Sequence, residues 1–466
     1  MTSERQKLSR RRFVEATSAA TIFGLAGCTG DGSSDGGDGG GDGGDGGGDG
    51  GNGTTSSGGS STTVTHWSGF FDNPNAGEWR DWYVQEASDQ YNVEVETSAF
   101  SYADMRQKYL TGASTGTPDI IEGVLSHVNE YAVAGLIEPI GDWAESLDYY
   151  DDFLQGGINS VTWNDQLWAL PMKGNGRTFF YRTDVFEEMG WEDGPAEGAE
   201  EFLEQMSTIT NSKDGMHGYH NTTKKGQVRA FQEWISHVYK HEDSVFELNN
   251  GEWSVTPSAE TFGEIFEWFY AKPYLETDAA NPDARNGDWR ANDIGYLQGN
   301  YACVPCGPWL LGMQEEAQDP ETAGNNIEQT ATATISHTPN ASDPKGTYLE
   351  TEANMINANS ENPEAAREAL GIHASPESVE MIGEKDPSYL QPPPFGSVES
   401  SIDREDRMEI KTAFENGKGL AFISWGQPRT ALYESIQQVI YDQKDPYTAG
   451  EELHAEFQDI ASSLEA

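Results

Sequence analysis

From Thr62 onward the apolar and polar positions follow two rhythms that take turns along the chain. Thr62-Thr63-Val64-Thr65-His66-Trp67 is β-branched and aromatic and closes in Ser68-Gly69, which predicts a strand followed by a loop. Residues 78–90 carry Trp79, Trp82, Tyr83 and Ala87 at helical spacing, and Val93-Glu94-Val95-Glu96-Thr97 then alternates with period two. A helix is predicted over 102–110, ended by Gly112; Pro118-Asp119-Ile120-Ile121 opens a third strand, and 128–134 reads as a helix closed by Gly135. Further helices are predicted over 199–208, 229–239, 259–270, 363–373 and 430–441, without a fixed-period repeat. Strands alternating with helices imply an α/β fold with a largely parallel sheet. Ligands of such sheets lie off the carboxyl ends of strands, so the loops after Trp67 and Ile121 are the first places to search.

Before Thr62 neither rhythm is present. Ser9-Arg10-Arg11-Arg12-Phe13-Val14 is a twin-arginine signature, followed by an apolar run over 16–26 that falls well short of the roughly 20 residues needed to cross a bilayer. Leu25-Ala26-Gly27-Cys28 resembles the lipobox of exported lipoproteins. The expected outcome is export, cleavage before Cys28, and lipidation of Cys28 to hold the protein on the outer face of the membrane. Residues 28–61 are almost wholly Gly, Asp, Ser, Thr and Asn, which cannot bury apolar surface and read as a disordered tether.

Composition narrows the class. At 466 residues and 36% hydrophobic content the chain is long enough for large folded lobes, and 3 cysteines cannot form a disulfide scaffold. The formal charge of −50 comes from 78 acidic against 28 basic side chains, with no basic stripe to bind nucleic acid. Removing residues 1–27 and the six tether aspartates still leaves about −47 on the folded part, so the acidity belongs to the globular surface. Such self-repulsion is screened when the Debye length falls to about 3 Å at 1 M salt, which points to a salt-adapted protein from a halophilic source.

Several ordered fragments carry a family resemblance. They are Trp67-Ser68-Gly69, Gly116-Thr117-Pro118-Asp119-Ile120, Tyr131-Ala132-Val133-Ala134-Gly135-Leu136-Ile137-Glu138-Pro139-Ile140, Gln166-Leu167-Trp168-Ala169-Leu170-Pro171, Phe180-Tyr181-Arg182-Thr183-Asp184, and Gly299-Asn300-Tyr301-Ala302 leading to Gly307-Pro308-Trp309. Together they resemble the extracellular solute-binding proteins, family 1, the maltose-binding type that serves ATP-driven (ABC) importers. The resemblance implies two α/β lobes of the type II periplasmic-binding-protein kind, each with a mostly parallel sheet, joined by hinge crossovers. It places lobe 1 at 62–172 and 338–385 and lobe 2 at 173–337 and 386–466. The implied function is capture of a sugar or oligosaccharide between the lobes and delivery to membrane permease subunits, by a monomer that needs no cofactor or metal.

A sugar site needs aromatic platforms for flat apolar ring faces and directional polar groups for hydroxyls. Of the 13 tryptophans, Trp79, Trp82, Trp143, Trp234 and Trp268 sit on helical patterns and read as core. Trp67, Trp309 and Trp425 lie at a strand end or beside Gly or Pro, and the resemblance puts Trp309 and Trp425 on stacking positions; Trp289, after Gly287-Asp288, is a further candidate. Ser126 and His127 fall where maltose-type members carry an acidic and a basic ligand, and Asn175 falls on a hinge position that is often acidic. Phe70 and Phe71 replace the charged residues expected after the first strand's glycine, and the glycine usual before the strand near Ile356 is replaced within Leu349-Glu350-Thr351-Glu352, where Glu350 accepts hydroxyls, binds a cationic solute or simply faces water.

Cys303-Val304-Pro305-Cys306 has redox spacing but ends a strand rather than starting a helix, so buried thiols are expected first and a local disulfide second. Rival functions are a receptor for glycerol phosphate, polyamine or polyol, a secreted glycoside hydrolase, and a surface or sensory module. No Gly-x-Ser-x-Gly elbow, HExxH or phosphate loop is present, and 78 acids single out no catalytic pair.

Overall fold

The computed structural model describes residues 61–73, 75–385, 394–399 and 404–464. The twin-arginine stretch, Cys28 and the Gly/Asp segment lie outside the described residues. From Ser61 onward the chain forms one compact unit.

The chain enters through β1 (Thr62–Ser68), β2 (Val93–Ala99) and β3 (Ile120–Val124), separated by helices Gly77–Tyr91 and Tyr102–Gly112. A ribbon of β4 (Thr162–Trp163) and β5 (Gln166–Leu167) leads to β6 (Leu170–Gly176), which passes through Arg177 into β7 (Thr178–Arg182). Then come β8 (His217–Tyr219), a second ribbon of β9 (Phe246–Asn249) and β10 (Glu252–Val255), β11 (Tyr301–Cys306) and β12 (Thr330–Ala333). The long β13 (Thr347–Ile356) and the two-residue β14 (Gly417–Lys418) complete the set.

The first sheet has the order β14-β13-β3-β1-β2, with β6 also paired to β13. Its centre is parallel as the alternation predicts, β1 lying parallel to both β2 and β3, while β13 runs antiparallel to β3 and β6. All residues of β3 and β13 are buried, as strands covered on both faces must be.

The second sheet, β12-β7-β11-β8, departs from the expected mostly parallel arrangement. Both neighbours of β7 are antiparallel to it, and only β11 and β8 are parallel. The cause is connectivity. β8, β11 and β12 are each preceded by a helix that turns the chain, whereas β7 continues directly from the first sheet and so runs the other way. The lobe change expected at residue 173 therefore falls inside β6, which stays on the first sheet to Gly176.

Most predicted helices are present, among them Ala199–Ser212, Val228–Val238 and Pro363–His373. Two start earlier than their apolar spacing suggests: Leu125–Val133 and Gly426–Ile440. In the first case Glu350, far away in sequence, accepts the Leu125 N–H at 2.8 Å and serves the helix start that Val124 cannot cap. The C-terminal helix Pro446–Ser463 packs on Ala259–Phe266 where Gly450 meets Gly263, so closely that a Cβ on Gly450 would lie 2.4 Å from the Gly263 nitrogen. Trp79 and Trp234 are fully buried and Trp82, Trp143 and Trp268 pack against the core, as their helical spacing predicts. Cys303 and Cys306 are buried free thiols. An odd spacing on β11 turns them to opposite faces, into different core clusters, so the redox spacing carries no disulfide.

Candidate functional site

The residues that gather polar chemistry between the two sheets lie on alternating positions of β6 and β13. Asn175 pairs with Glu350 and Lys173 with Glu352, so period-two alternation puts all four side chains on one face. Glu350 is buried: besides the Leu125 amide it accepts a hydrogen bond from the Gln232 side chain of helix Val228–Val238. Burial raises its carboxyl to about 7, against the opposing pull of the Leu125 N–H and of Arg177.

Arg177 occupies the single residue between β6 and β7, at the crossing from one sheet to the other. It is 2% exposed and donates to Asn175 Oδ1 and to Gln232 Oε1, while its Nε–H has no partner. Its guanidinium stands 4.8 Å from the centre of the Trp309 ring. Trp309 is half-buried and donates from Nε1 to Asp293 Oδ2 at 2.9 Å. Asp293 in turn accepts from Arg229, which also pairs with Glu233 at 2.7 Å and donates to the Pro305 carbonyl. The ring fits because Gly307 has no side chain: a Cβ there would lie 2.0 Å from the Trp309 ring. The Gly-Pro-Trp motif is thus a device for laying this indole back over the strand end.

The same face continues to the carboxyl ends of β1 and β3. Glu122 accepts hydrogen bonds from the Ser68 hydroxyl, from the Gly69 N–H at 3.0 Å and from the Tyr102 hydroxyl at 2.7 Å. Tyr102, placed at a helix start capped by Ser101, also bonds Glu352, which pairs with Lys173 at 2.8 Å. The Lys173 ammonium lies 4.1 Å from the Phe70 ring centre. Burial, and then the neighbouring Glu352, raise the Glu122 carboxyl above its ordinary value. Five acidic side chains (Glu122, Glu233, Asp293, Glu350, Glu352) thus meet three cations (Lys173, Arg177, Arg229), and burial raises the carboxyls of Glu122, Glu233 and Glu350, the last two to about 7.

The structure brings Asn175, Trp309 and Glu350 together, with Phe70 joined to them through Lys173 and Glu352. Trp289 begins helix Trp289–Leu297 one turn before Asp293, on the same helical stripe and 36% exposed. Ser126 and His127 follow Leu125 directly, but their side chains turn to other partners. Ser126 accepts from Arg429 at 3.1 Å, and His127 stacks on Tyr131 with ring centres 5.8 Å apart. Burial, with Arg429 and Arg106 nearby, keeps that imidazole neutral. Trp67 points from the face of β1 opposite Ser68 and packs edge-on against Phe100 at 4.9 Å.

Trp425, expected to present its ring to a sugar, is 1% exposed. It is closed off by Phe231 and Phe246 at 5.3 and 5.4 Å, with its indole N–H on the Ala421 carbonyl. An apolar groove of about 620 Å³, lined by Trp163, Phe246, Trp253, Phe414 and Phe422 among others, lies off the other face of β13, where Thr351 bonds Ser160 at 2.9 Å. Its aromatic walls hold none of the charged groups described above.

Arg177, Gln232, Arg229, Asp293, Glu122 and Glu352 were not singled out from sequence. The signal open to view was the i, i+2 pattern Lys173-x-Asn175-x-Arg177 facing Glu350-x-Glu352. Among the described residues no helix is long and apolar enough to cross a membrane.

Two sheets joined through short crossings, with an aromatic and densely hydrogen-bonded polar cluster between them, define a two-lobed solute-binding architecture. The chain belongs to the bacterial extracellular solute-binding protein family, whose model matches residues 82–411. It is 21% identical over 246 residues to the lactose-binding protein of Rhizobium radiobacter, a match covering 51% of this chain and 55% of that one, so the chain spans about half the length of this curated relative. Among solved structures it is similar to the maltotriose-binding protein of Thermus thermophilus bound with maltotriose (TM-score 0.67, 18% identity, 85% of this chain and 99% of that one). It is also similar to the GacH receptor of Streptomyces glaucescens (TM-score 0.70, 17% identity, 87% and 100%). A third is maltose-bound MalE3 of T. maritima (TM-score 0.71, 16% identity, 86% and 100%). At these identities the likeness establishes the shared two-lobed fold.

Proposed function

We propose that this chain is the extracellular receptor of an ATP-driven importer, capturing a sugar or oligosaccharide between its lobes and handing it to a membrane permease. The observation that carries the proposal is the cluster of Trp309, Arg177, Asn175, Gln232 and Glu350, an indole after β11 of the second sheet beside donors and acceptors from β6, β13, the crossing between the sheets and a helix packed on β13. That is the chemistry a polyhydroxylated ring with apolar faces requires. The names of the relatives, which bind lactose, maltotriose and maltose, point the same way. Phe70 and Trp289 are proposed to flank the solute, and Ser126 and His127 to reach it when the lobes move; Trp67 and Trp425 act as support for the walls. Capture rests on differential affinity: a solute held from both sheets favours the closed arrangement, which then docks on the permease.

The remaining parts of the proposal are the lipidated Cys28 anchor, the salt-adapted surface, a monomeric receptor and an absence of catalysis. The decisive experiment is a tryptophan-fluorescence titration in concentrated salt against lactose, maltose, maltotriose, glycerol 3-phosphate and a polyamine. Saturable binding of at least one saccharide is expected. A flat response to every carbohydrate refutes the sugar assignment, and release of reducing sugar from an oligosaccharide refutes the non-enzymatic one.

A further inference from the structure

We infer that Asn340 is an N-glycosylation site, an assignment that rests on the export implied by the twin-arginine segment and Cys28 and not on the identity of the solute. The chain carries three Asn-x-Ser/Thr triplets with a residue other than Pro in the middle: Asn52-Gly53-Thr54, Asn221-Thr222-Thr223 and Asn340-Ala341-Ser342. The first lies outside the described residues. Accessibility decides between the other two, because a glycan is bulky and hydrated and a folded protein can carry one only at its surface. Asn221 is 2% exposed; its Nδ2 donates to the Phe269 carbonyl at 3.2 Å and its Oδ1 accepts from the Tyr274 hydroxyl at 2.6 Å. The hydroxyl of Thr223, also buried, donates to the Arg285 carbonyl. A sugar on Asn221 would have to displace this packing.

Asn340 is placed in the opposite way. It belongs to the connection from β12 of the second sheet to β13 of the first. There the Ala341 N–H donates to the Thr338 carbonyl at 3.3 Å, closing a β-turn with Pro339 and Asn340 at its corners. Pro339, Asn340 and Ser342 are all exposed. Asn340 Nδ2 donates to Glu264 Oε1 at 3.1 Å, which uses one of its two hydrogens. In the transfer the other N–H bond breaks, and a bond forms from Nδ2 to the anomeric carbon of the glycan. The donor is a glycan linked to a lipid phosphate or diphosphate. Its anomeric C–O bond breaks, the phosphate leaves with the electron pair, and the amide proton passes to a base. The retained hydrogen keeps the Glu264 bond, and the Asn340 backbone N–H reaches the same oxygen at 3.2 Å, so the modified turn stays anchored.

The experiment takes the protein from the cells that make it and records whether protease added outside those cells reaches it. Mass spectrometry after digestion with trypsin and a glutamate-specific protease then locates the modification, since the peptide 329–345 holds Asn340 as its single asparagine. The expected result is surface-exposed protein whose 329–345 peptide is heavier by one or more sugar units on Asn340, with Asn221 unmodified. Asn340→Gln and Ser342→Ala are expected to abolish that mass shift and Ser342→Thr to keep it, because the triplet requires a hydroxyl and not serine itself. A purely structural role of the turn would not produce that pattern. Where a variant fails to fold, the wild-type peptide alone decides. Surface-exposed protein with Asn340 unmodified overturns the inference and leaves both the export and the receptor readings intact. So does a glycan on Asn221 in its place. Protein confined to the cytoplasm and unmodified defeats the export reading, and this inference falls with it.

Discussion

Replacing Glu350 by Gln tests whether the buried carboxyl of the cleft carries the pH behaviour that its surroundings dictate. In the folded chain its pKa is raised from 4.5 to about 7, burial being the dominant cause. A carboxyl raised in this way binds its proton more tightly folded than unfolded. Its contribution to stability is therefore full below about pH 4.5 and is lost as pH rises toward and through 7. The whole effect is about 3 kcal/mol, and roughly 2 kcal/mol of it falls between pH 5.5 and 8. Glu350→Gln keeps an acceptor for the Leu125 N–H but cannot titrate, while Arg177 loses its neighbouring anion. The variant has an unknown constant offset, but the difference between the two proteins must change with pH. Chemical denaturation in concentrated salt at pH 5.5, 6.5, 7.5 and 8 is expected to show Glu350→Gln gaining about 2 kcal/mol relative to wild type across that window. Every other titrating group far from the site cancels in the difference. Two parallel profiles would show that Glu350 titrates in the folded protein as it does in the unfolded chain, and the account of the cleft given above would be wrong.

Three further outcomes can be checked directly. Lys240 is buried and donates to the Pro344 carbonyl at 2.6 Å; burial lowers its pKa from 10.5 to about 7, so its effect on stability runs the opposite way with pH. Wild type should gain about 2 kcal/mol from it between pH 7 and 9, and Lys240→Met should lose that gain in the same denaturation assay. Gly450→Val places a branched side chain where even a Cβ meets Gly263 backbone at 2.4 Å; a loss of about 2 kcal/mol or more is expected, and an unchanged melting temperature refutes the packing. Cys303 and Cys306, buried and with thiols pushed well above their ordinary pKa by burial, should resist a thiol reagent in the native protein and react fully once unfolded, with no mass change on reduction.

The elements whose residues meet their neighbours locally were legible in the chain. The β-branched run at Thr62, the helical spacing of Trp79, Tyr83 and Ala87, and the Gly-Pro-Trp motif all set structure within a few residues, and the structure has them in place. What escaped is decided over long distances. Leu125–Val133 starts where Glu350 accepts an amide from 225 residues away, and Gln232 reaches Glu350 across 118. Trp425 looks like a platform because it stands beside Gly426, yet Phe231 and Phe246 close over it, a packing that local spacing does not encode. β7 runs against its neighbours because the chain crosses from the first sheet without a helix, a fact of connectivity rather than of propensity.

The acidity hid the site in a more specific way. Among 78 acidic residues, Glu122, Glu350 and Glu352 look like any others, because composition treats a solvated carboxylate and a buried one alike. Physically the two populations separate under salt. Exposed charges are screened once the Debye length is a few ångströms, so the repulsion of the surface fades as salt is added. The buried set is shielded from that screening, since its partners are fixed donors such as the Leu125 amide, Tyr102 and Arg177 rather than mobile ions. Added salt therefore acts on the surface acid and leaves the buried carboxyls to the donors that hold them.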